Sequence, residues 1–152
     1  MIALRPHQPA DLDQLAALWF HSASLPGVFP RDIPPIAALR ARMDDELASG
    51  WELTVATLDG AIAGFLAIRT ETAVVEQLFL HPDALGRGIG RQLLDRAKAA
   101  MPDGFTLHTA MTNTGGRAFY QRCDMVPVRE EIHPRWGHEI IWYASRDGGA
   151  HG

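Results

Sequence analysis

The sequence is poor in cysteine and in long apolar runs. A single cysteine, Cys123, stands among 152 residues, so no internal disulfide can form. This usage is expected of a reducing, cytoplasmic compartment. No apolar run approaches the roughly 20 residues that cross a bilayer, and the first residues, MIALRPHQPADLDQ, lack the apolar core of a signal peptide. We therefore predict a cytoplasmic protein with no membrane partner.

A dominant charge is also absent. The formal net charge is −4, and acidic and basic residues are interspersed. A general nucleic-acid binder carries a basic surplus, so we predict no nucleic-acid partner. The hydrophobic fraction of 47% in 152 residues suffices for one core without disulfides. We predict a single domain over residues 1–146 and a disordered tail over residues 147–152.

Metal-ligand and nucleophile patterns are missing too. The seven histidines do not cluster at ligand spacing, and His133 and His138 flank a turn without further ligands. We therefore predict no metal. No Cys-His-Asp pattern accompanies Cys123, which favours a small buried residue over a nucleophile.

The pattern of apolar residues predicts four helices and about seven strands. The helices are expected from about Pro9 to Ser22, from Ile36 to a stop at Gly50, from Ile89 to Met101, and from Asn113 to about Cys123. The strands are MIALRP, WELTVATL, AIAGFLAIR, TAVVEQLFL, GFTLHTAM, MVPVREEIH and GHEIIWYAS. Asp59-Gly60 is a two-residue hairpin signal between the second and third strands. The order β-α-α-β-β-β-α-β-α-β-β predicts an α/β fold with a mixed, mostly antiparallel sheet.

Three glycines, Gly86, Gly88 and Gly90, lie between a predicted strand and the helix that follows it. A helix N-terminus has unpaired N–H groups and attracts anions, and glycines let a ligand approach the backbone. Arg87 and Arg91 add positive charge on either side. The dinucleotide fingerprint G-x-G-x-x-G needs a glycine at position 91, and no G-x-x-x-x-G-K-[ST] is present. From these residues alone, a structural turn and a phosphate site both remain open.

Two segments carry a resemblance to a known family. HPDALGRGIGRQLL resembles the acyl-CoA loop of the GNAT superfamily of N-acetyltransferases, with the signature (Q/R)-x-x-G-x-(G/A), in which Gly88 and Gly90 take the glycine positions. NTGGRAFYQRCDMV resembles the second CoA motif of that family, in which an asparagine opens a helix that carries a tyrosine. The element order matches over nearly the whole chain. The resemblance implies a GNAT-like fold and acetyl-CoA as the acyl-donor cosubstrate.

The sequence departs from the family pattern at two places. Leu85 stands where the signature has Gln or Arg, so one customary hydrogen bonder beside the phosphates is missing. Asp124-Met125 stands where the family usually has Gly-Phe. Met125 can fill an apolar slot, and Asp124 must adopt the backbone conformation of the usual glycine.

The resemblance also assigns roles to site residues. Tyr120 becomes the general acid that protonates the departing CoA thiolate, whereas its spacing alone favours a core aromatic. Glu76 becomes a general base, often acting through water, or else is a solvated side chain at a sheet edge. Asn113 contacts the CoA arm or simply caps its helix, and Arg117 reaches the cofactor or solvent. The predicted CoA-binding residues are Leu78, Phe79, Leu80, Gly86, Arg87, Gly88, Ile89, Gly90, Arg91 and Asn113.

The acceptor site is expected between the loop FHSASLPGVFPRD and the last hairpin, REEIHPRWGHE. Phe20, Phe29 and Trp136 are the candidate walls, and Glu130, Glu131 or His138 the candidate contacts for an amine; ordinary packing is the alternative for each. The resulting hypothesis is an N-acetyltransferase that acts on a primary amine of a small or amino-acid-like molecule by direct attack in a ternary complex. The alternatives are a CoA-binding module without activity, another acyl group, or an oxygen acceptor. A homodimer is possible.

Overall fold

A computed structural model describes residues 1–145, which form seven strands and four α-helices in the predicted order. The strands are β1 Ile2–Pro6, β2 Glu52–Leu58, β3 Ala61–Arg69, β4 Val74–Leu80, β5 Thr106–Ala110, β6 Met125–Ile132 and β7 Glu139–Ser145. The helices are α1 Leu12–Ala23, α2 Ile36–Ser49, α3 Ile89–Ala100 and α4 Thr114–Arg122. The tail predicted to be disordered, residues 147–152, lies outside the described residues.

All seven strands belong to one sheet, in the order β1-β2-β3-β4-β5-β7-β6. Neighbours are antiparallel except β4 and β5, which run parallel. The predicted α/β fold with a mostly antiparallel sheet is thus confirmed. Helices α1 and α2 cover one face around Leu15, Met43 and Phe65. Helix α3 and part of α4 cover the other face, around Leu66 and Leu93.

Strands β4 and β5 separate almost as soon as they meet. Their one register within residues 1–145 joins Val74 to Thr106. Each strand keeps its outer partner along its length, since β4 pairs with β3 and β5 with β7. The sheet is therefore open at its centre, on the side where β4 ends and the glycine segment begins.

Two local predictions hold in the backbone. Asp59 and Gly60 both have positive φ, 52° and 86°, as a tight hairpin turn between β2 and β3 requires. Asp124 takes the left-handed conformation, with φ 64°, and Met125 is buried beside it. The departure from the family's Gly-Phe is thereby accommodated, because aspartate tolerates this region better than most residues.

Within residues 1–145, no helix has both the length and the apolar character that a membrane crossing needs.

Candidate functional site

Two cavities meet at the opening of the sheet. One, of about 190 Å³, lies between α2, the first half of β4, strand β5 and the β6–β7 loop. Its lining includes His108, His133 and His138, and we call it the histidine cavity. The other, of about 670 Å³, lies between the end of β4, the glycine segment and α4; we call it the glycine cavity. Residues common to both linings are Val28, Leu78, Phe79, Asn113 and Tyr120. Molecules in the two cavities would meet beside Tyr120.

The glycine cavity is shaped by backbone that only glycine adopts without strain. Gly86 and Gly88 have φ of 79° and 85°, and no heavy atom lies within 4 Å of the position of a Cβ on either. Gly88 is the N-cap of α3, whose first residues, Ile89 and Gly90, also line the cavity. The unpaired N–H groups and the positive dipole end of α3 suit an anion at this place.

Gly90 is required for a different reason. A Cβ there would lie 2.9 Å from Cζ of Phe119, whose ring packs α4 against α3. The three glycines thus divide between turn conformation, at Gly86 and Gly88, and close helix packing, at Gly90.

Of the two arginines that flank the glycines, only one lines the glycine cavity. Arg91 lines the glycine cavity, and its Nη2 donates to the backbone carbonyl of Arg122 at 2.9 Å. Arg87 is exposed and does not belong to the lining. Leu85 does line the cavity, with 57% of its surface exposed, where the family pattern has a polar side chain.

Along β4, successive residues direct their backbone N–H and C=O groups alternately toward β3 and toward the opening between β4 and β5. The N–H of His81, just after the strand, donates to the carbonyl of Ala63 at 2.7 Å, toward β3. By alternation, Leu78 and Leu80 direct their backbone groups away from β3. The carbonyl of Leu80 already accepts from Oγ of Ser22 at 2.9 Å. Leu78, at the junction of the cavities, is therefore the better placed of the two for a ligand.

Asn113 caps α4 and is fixed at both ends of its side chain. Its Oδ1 accepts from the N–H of Gly116 at 3.1 Å, and its Nδ2 donates to Oγ1 of Thr109 at 2.9 Å. The cap is thus present, and it holds Asn113 at the junction. Nearby, Arg117 turns back to donate from Nη1 to the carbonyl of Met111 at 3.1 Å.

Tyr120 reaches the junction from the buried face of α4. Its ring centroid lies 5.4 Å from Phe119 and 5.8 Å from Tyr143. Burial raises the pKa of its phenol above the ordinary value near 10. At neutral pH the phenol is protonated and able to donate. Cys123, one turn on, is buried, and burial likewise raises its thiol pKa, so it is a neutral thiol and not an activated nucleophile.

Glu76 is placed by a β-bulge. Gln77 pairs with Ala67, whereas Val75 pairs with Ile68, so Glu76 is the extra residue on β4. Glu76 and Gln77 both line the histidine cavity; Val75 and Leu78 line it too, but their side chains pack with the α3 side of the core. The bulge therefore turns the carboxylate into the cavity.

Two neighbours hold the Glu76 carboxylate. The indole N–H of Trp51 donates to Oε1 at 3.0 Å, and Nε of Arg69 lies 3.7 Å from Oε2. Only 27% of the side chain is exposed. The carboxylate is consequently fixed in place, with accepting positions left on its cavity side.

The lining of the histidine cavity includes three uncharged histidines. More than a third of His108 is exposed, but into the cavity; desolvation, assisted by His133, lowers its pKa to about 4. Desolvation also lowers the pKa of His133 and of His138, whose rings stack 5.3 Å apart. Near neutral pH all three are uncharged. Within residues 1–145 no group of three or more histidine, cysteine or acidic side chains has a metal-binding arrangement.

The predicted acceptor walls are only partly brought together. Phe29 and Trp136 line the histidine cavity, edge to face, with ring centroids 5.8 Å apart. Phe20 lines neither cavity, because it lies on α1 against the aromatic core and His21. Among the candidate amine contacts, His138 lines the cavity, whereas Glu130 and Glu131 lie on β6 outside it.

Sequence reasoning missed several polar residues of the histidine cavity, among them His108 and Arg42. His108 is one of the polar residues of an alternating strand, which was a usable signal. Arg42 lies on the polar side of an amphipathic helix, where a solvated side chain is the ordinary expectation.

The chain is similar to known proteins in sequence and in fold. The sequence profile described as the acetyltransferase (GNAT) family matches residues 15–125. A GCN5-related N-acetyltransferase structure from Rhodopseudomonas palustris is 22% identical, with TM-score 0.74 and coverage of 94% of both chains. An acetyltransferase from Thermus thermophilus is 23% identical, with TM-score 0.73 and coverage of 95% of this chain and 96% of that one.

A third similar structure is yncA from Salmonella typhimurium, described as a putative acetyltransferase with its cofactor acetyl-CoA. It is 14% identical, with TM-score 0.74, and the match covers 94% of this chain and 92% of that one. A search of curated proteins gives no significant match.

Proposed function

Because the chain belongs to the acetyltransferase (GNAT) family, we propose that it transfers the acetyl group of acetyl-CoA to a primary amine of a small or amino-acid-like acceptor. The observation that carries this proposal is the meeting of two cavities at Tyr120. One cavity suits a phosphate-bearing donor and the other a small polar acceptor. The two substrates would react in a ternary complex.

The glycine cavity accommodates CoA in this proposal. Its pyrophosphate would lie at the N-terminus of α3, against Gly86 and Gly88, with Arg91 beside it. The pantetheine arm would follow the open edge of β4 past Leu80 to Leu78. Similarity to a protein solved with acetyl-CoA supports this placement, since the two share a fold.

The reaction needs a route for two protons and a place for negative charge. The amine nitrogen attacks the thioester carbonyl, and the oxygen that becomes negative faces the N–H of Leu78. As the C–S bond breaks, Tyr120 gives its proton to the CoA sulfur. Glu76, directly or through water, accepts the proton that the amine loses, and solvent restores both groups. No covalent enzyme intermediate is required.

The test is a thiol-release assay with acetyl-CoA and a panel of primary amines. We expect Tyr120→Phe to lower kcat by roughly 100-fold or more while CoA binding, measured by calorimetry, persists. Tyr143→Phe is the matched control, because the buried hydroxyl of Tyr143 has no hydrogen-bond partner among residues 1–145 and lines neither cavity. Its activity should equal that of the wild type.

The outcomes separate the alternatives. Full activity of Tyr120→Phe would remove this residue from the acid role. CoA binding without release of thiol from any acyl-CoA would favour a binding module over an enzyme. A cytoplasmic setting, the absence of nucleic-acid and membrane partners, and a possible homodimer stay predictions; sedimentation measures the last.

A further inference from the structure

Arg42 is a cation in the wall of the histidine cavity with unused hydrogen-bonding capacity. Its side chain is 38% exposed, and its guanidinium lies 5.3 Å from the ring centroid of Trp19. Of the acidic side chains in residues 1–145, Glu46 alone is within 4 Å, and its 3.7 Å separation is too long for a hydrogen bond. Glu46 instead accepts from Arg69 at 3.2 Å. The guanidinium fork of Arg42 is thus available to a ligand.

The cavity lining contains one cation and one anion. Among its residues within 1–145, Arg42 on α2 is the basic side chain other than histidine, and Glu76 on β4 is the acidic one. The pKa values of the three histidines in the same lining are lowered, so these side chains are neutral near neutral pH and add no further charge. A ligand with one positive and one negative group matches such a lining better than a plain amine does.

We propose that the acceptor is a free amino acid with an apolar or aromatic side chain, whose carboxylate Arg42 binds. The inference rests on the proposed function and names the acceptor class. A guanidinium binds a carboxylate through two parallel hydrogen bonds, and the amine would then point toward Glu76 and the junction. Phe29 and Trp136 offer apolar surface for the side chain.

The size of the cavity agrees with a single amino acid. Its volume of about 190 Å³ is below the roughly 300 Å³ at which pockets for drug-sized ligands begin. The carboxylate is the group that separates this class from other small amines.

The experiment compares each amino acid with its decarboxylated analogue. L-phenylalanine is paired with 2-phenylethylamine and L-leucine with 3-methylbutylamine, and kcat/KM is measured by thiol release from acetyl-CoA. We expect each amino acid to exceed its partner by at least about 10-fold, since charge-assisted hydrogen bonds to a carboxylate are at stake. Arg42→Gln should lower kcat/KM for the amino acids roughly 10- to 100-fold, through KM, and should affect the plain amines much less, because they have no carboxylate for Arg42 to bind.

Two further variants sharpen the result. Arg42→Lys keeps the charge without the fork, so it should recover part of the loss. Arg31→Gln is the matched control: Arg31 is near enough to His138 to lower its pKa, but it does not line the cavity. Its removal should leave the preference for amino acids intact. Binding of CoA by calorimetry shows that each variant is folded.

Two outcomes would overturn the assignment in distinguishable ways. Turnover of plain amines as fast as amino acids, or equal losses for both in Arg42→Gln, would overturn the carboxylate site and leave acetyl transfer to amines standing. No thiol release with any amine of either kind would overturn the proposed function and this inference together.

Discussion

Asp11 is a nearly buried carboxylate near the N-terminus of the chain. Arg5 donates to both its oxygens, at 2.8 and 3.0 Å, and the N–H of Gln8 donates at 2.7 Å. These hydrogen bonds, that of Arg5 first, lower the pKa of Asp11 to about 2. Because the folded-state pKa is depressed, the stabilisation is complete above the unfolded pKa near 4 and is lost as the pH falls toward 2.

Asp11→Asn should lower the free energy of unfolding at pH 7 by about 1–3 kcal/mol. The reason is that Arg5 and the Gln8 N–H lose a charged acceptor. Urea denaturation at pH 7 and pH 2.5 measures the effect, which should shrink at the lower pH. Asp13→Asn, at a 93% exposed side chain, is the control. An Asp11→Asn effect of undiminished size at pH 2.5 would contradict the explanation.

Arg91 and Arg87 test the phosphate side of the glycine cavity. Arg91→Gln should weaken CoA by roughly 3- to 30-fold and leave pantetheine, which lacks the pyrophosphate, nearly unaffected. Arg87→Gln should change neither, because Arg87 stands outside the lining. Calorimetric titration of both ligands provides the comparison. Equal losses of CoA and pantetheine in Arg91→Gln would place the pyrophosphate elsewhere.

At the scale of elements, α4 supplies both a cap and a cavity wall. Gly115 lies in its first turn without a positive φ, and no heavy atom lies within 4 Å of a Cβ there. Gly115→Ala should therefore raise the free energy of unfolding by up to about 1 kcal/mol. The added methyl enters the cavity, so the same variant should bind CoA more weakly.

Urea denaturation measures the free energy of unfolding and calorimetry measures CoA binding, and both are made on the same preparation of Gly115→Ala. Gly90→Ala is the contrasting variant, since its Cβ would collide with Phe119 and both quantities should fall. If Gly115→Ala binds CoA as the wild type does, the cavity wall at α4 is not a ligand contact.

The elements also show what the sequence could and could not predict. Periodicity located the helices and strands, because each pattern is local; Asp59-Gly60 and the Asn113 cap are equally local signals. The bulge at Glu76 is not local, since it is a mismatch of register with β3. Strict alternation would place Glu76 on the same face as Leu78. Arg42, on α2, and His108, on β5, are far apart in sequence, so no spacing could join them.

At the scale of the whole molecule, three neutral histidines make the free energy of unfolding depend on pH, at pH values higher than those at which Asp11 titrates. The pKa values of His108, His133 and His138 are lowered by desolvation, against the opposing carboxylate of Glu131 at the first two. A lowered folded-state pKa means that the unfolded chain binds more protons. The free energy of unfolding is therefore unaffected by these histidines above about pH 6.5, and protonation of the unfolded chain lowers it as the pH falls below that value.

The melting temperature should accordingly fall between pH 7.5 and pH 5, before Asp11 titrates. His108→Gln should reduce this fall, because it removes the most strongly shifted of the three groups. Scanning calorimetry of both proteins at the two pH values measures it. A fall of the same size in His108→Gln would assign the pH dependence to other groups.

Because β4 and β5 pair at a single register, the sheet consists of two portions that are consecutive in the sequence. Residues 1–80 contribute strands β1 to β4, and residues 106–145 contribute β5 to β7, with α3 in the connection. Each portion supplies one wall of the junction, Leu78 from the first and Tyr120 from the second. A molecule lying in the opening between β4 and β5 would contact both portions and hold them together, as a strand inserted between β4 and β5 would. Two separately expressed fragments, cut at the exposed turn between α3 and β5, should therefore reassemble more readily when acetyl-CoA is present.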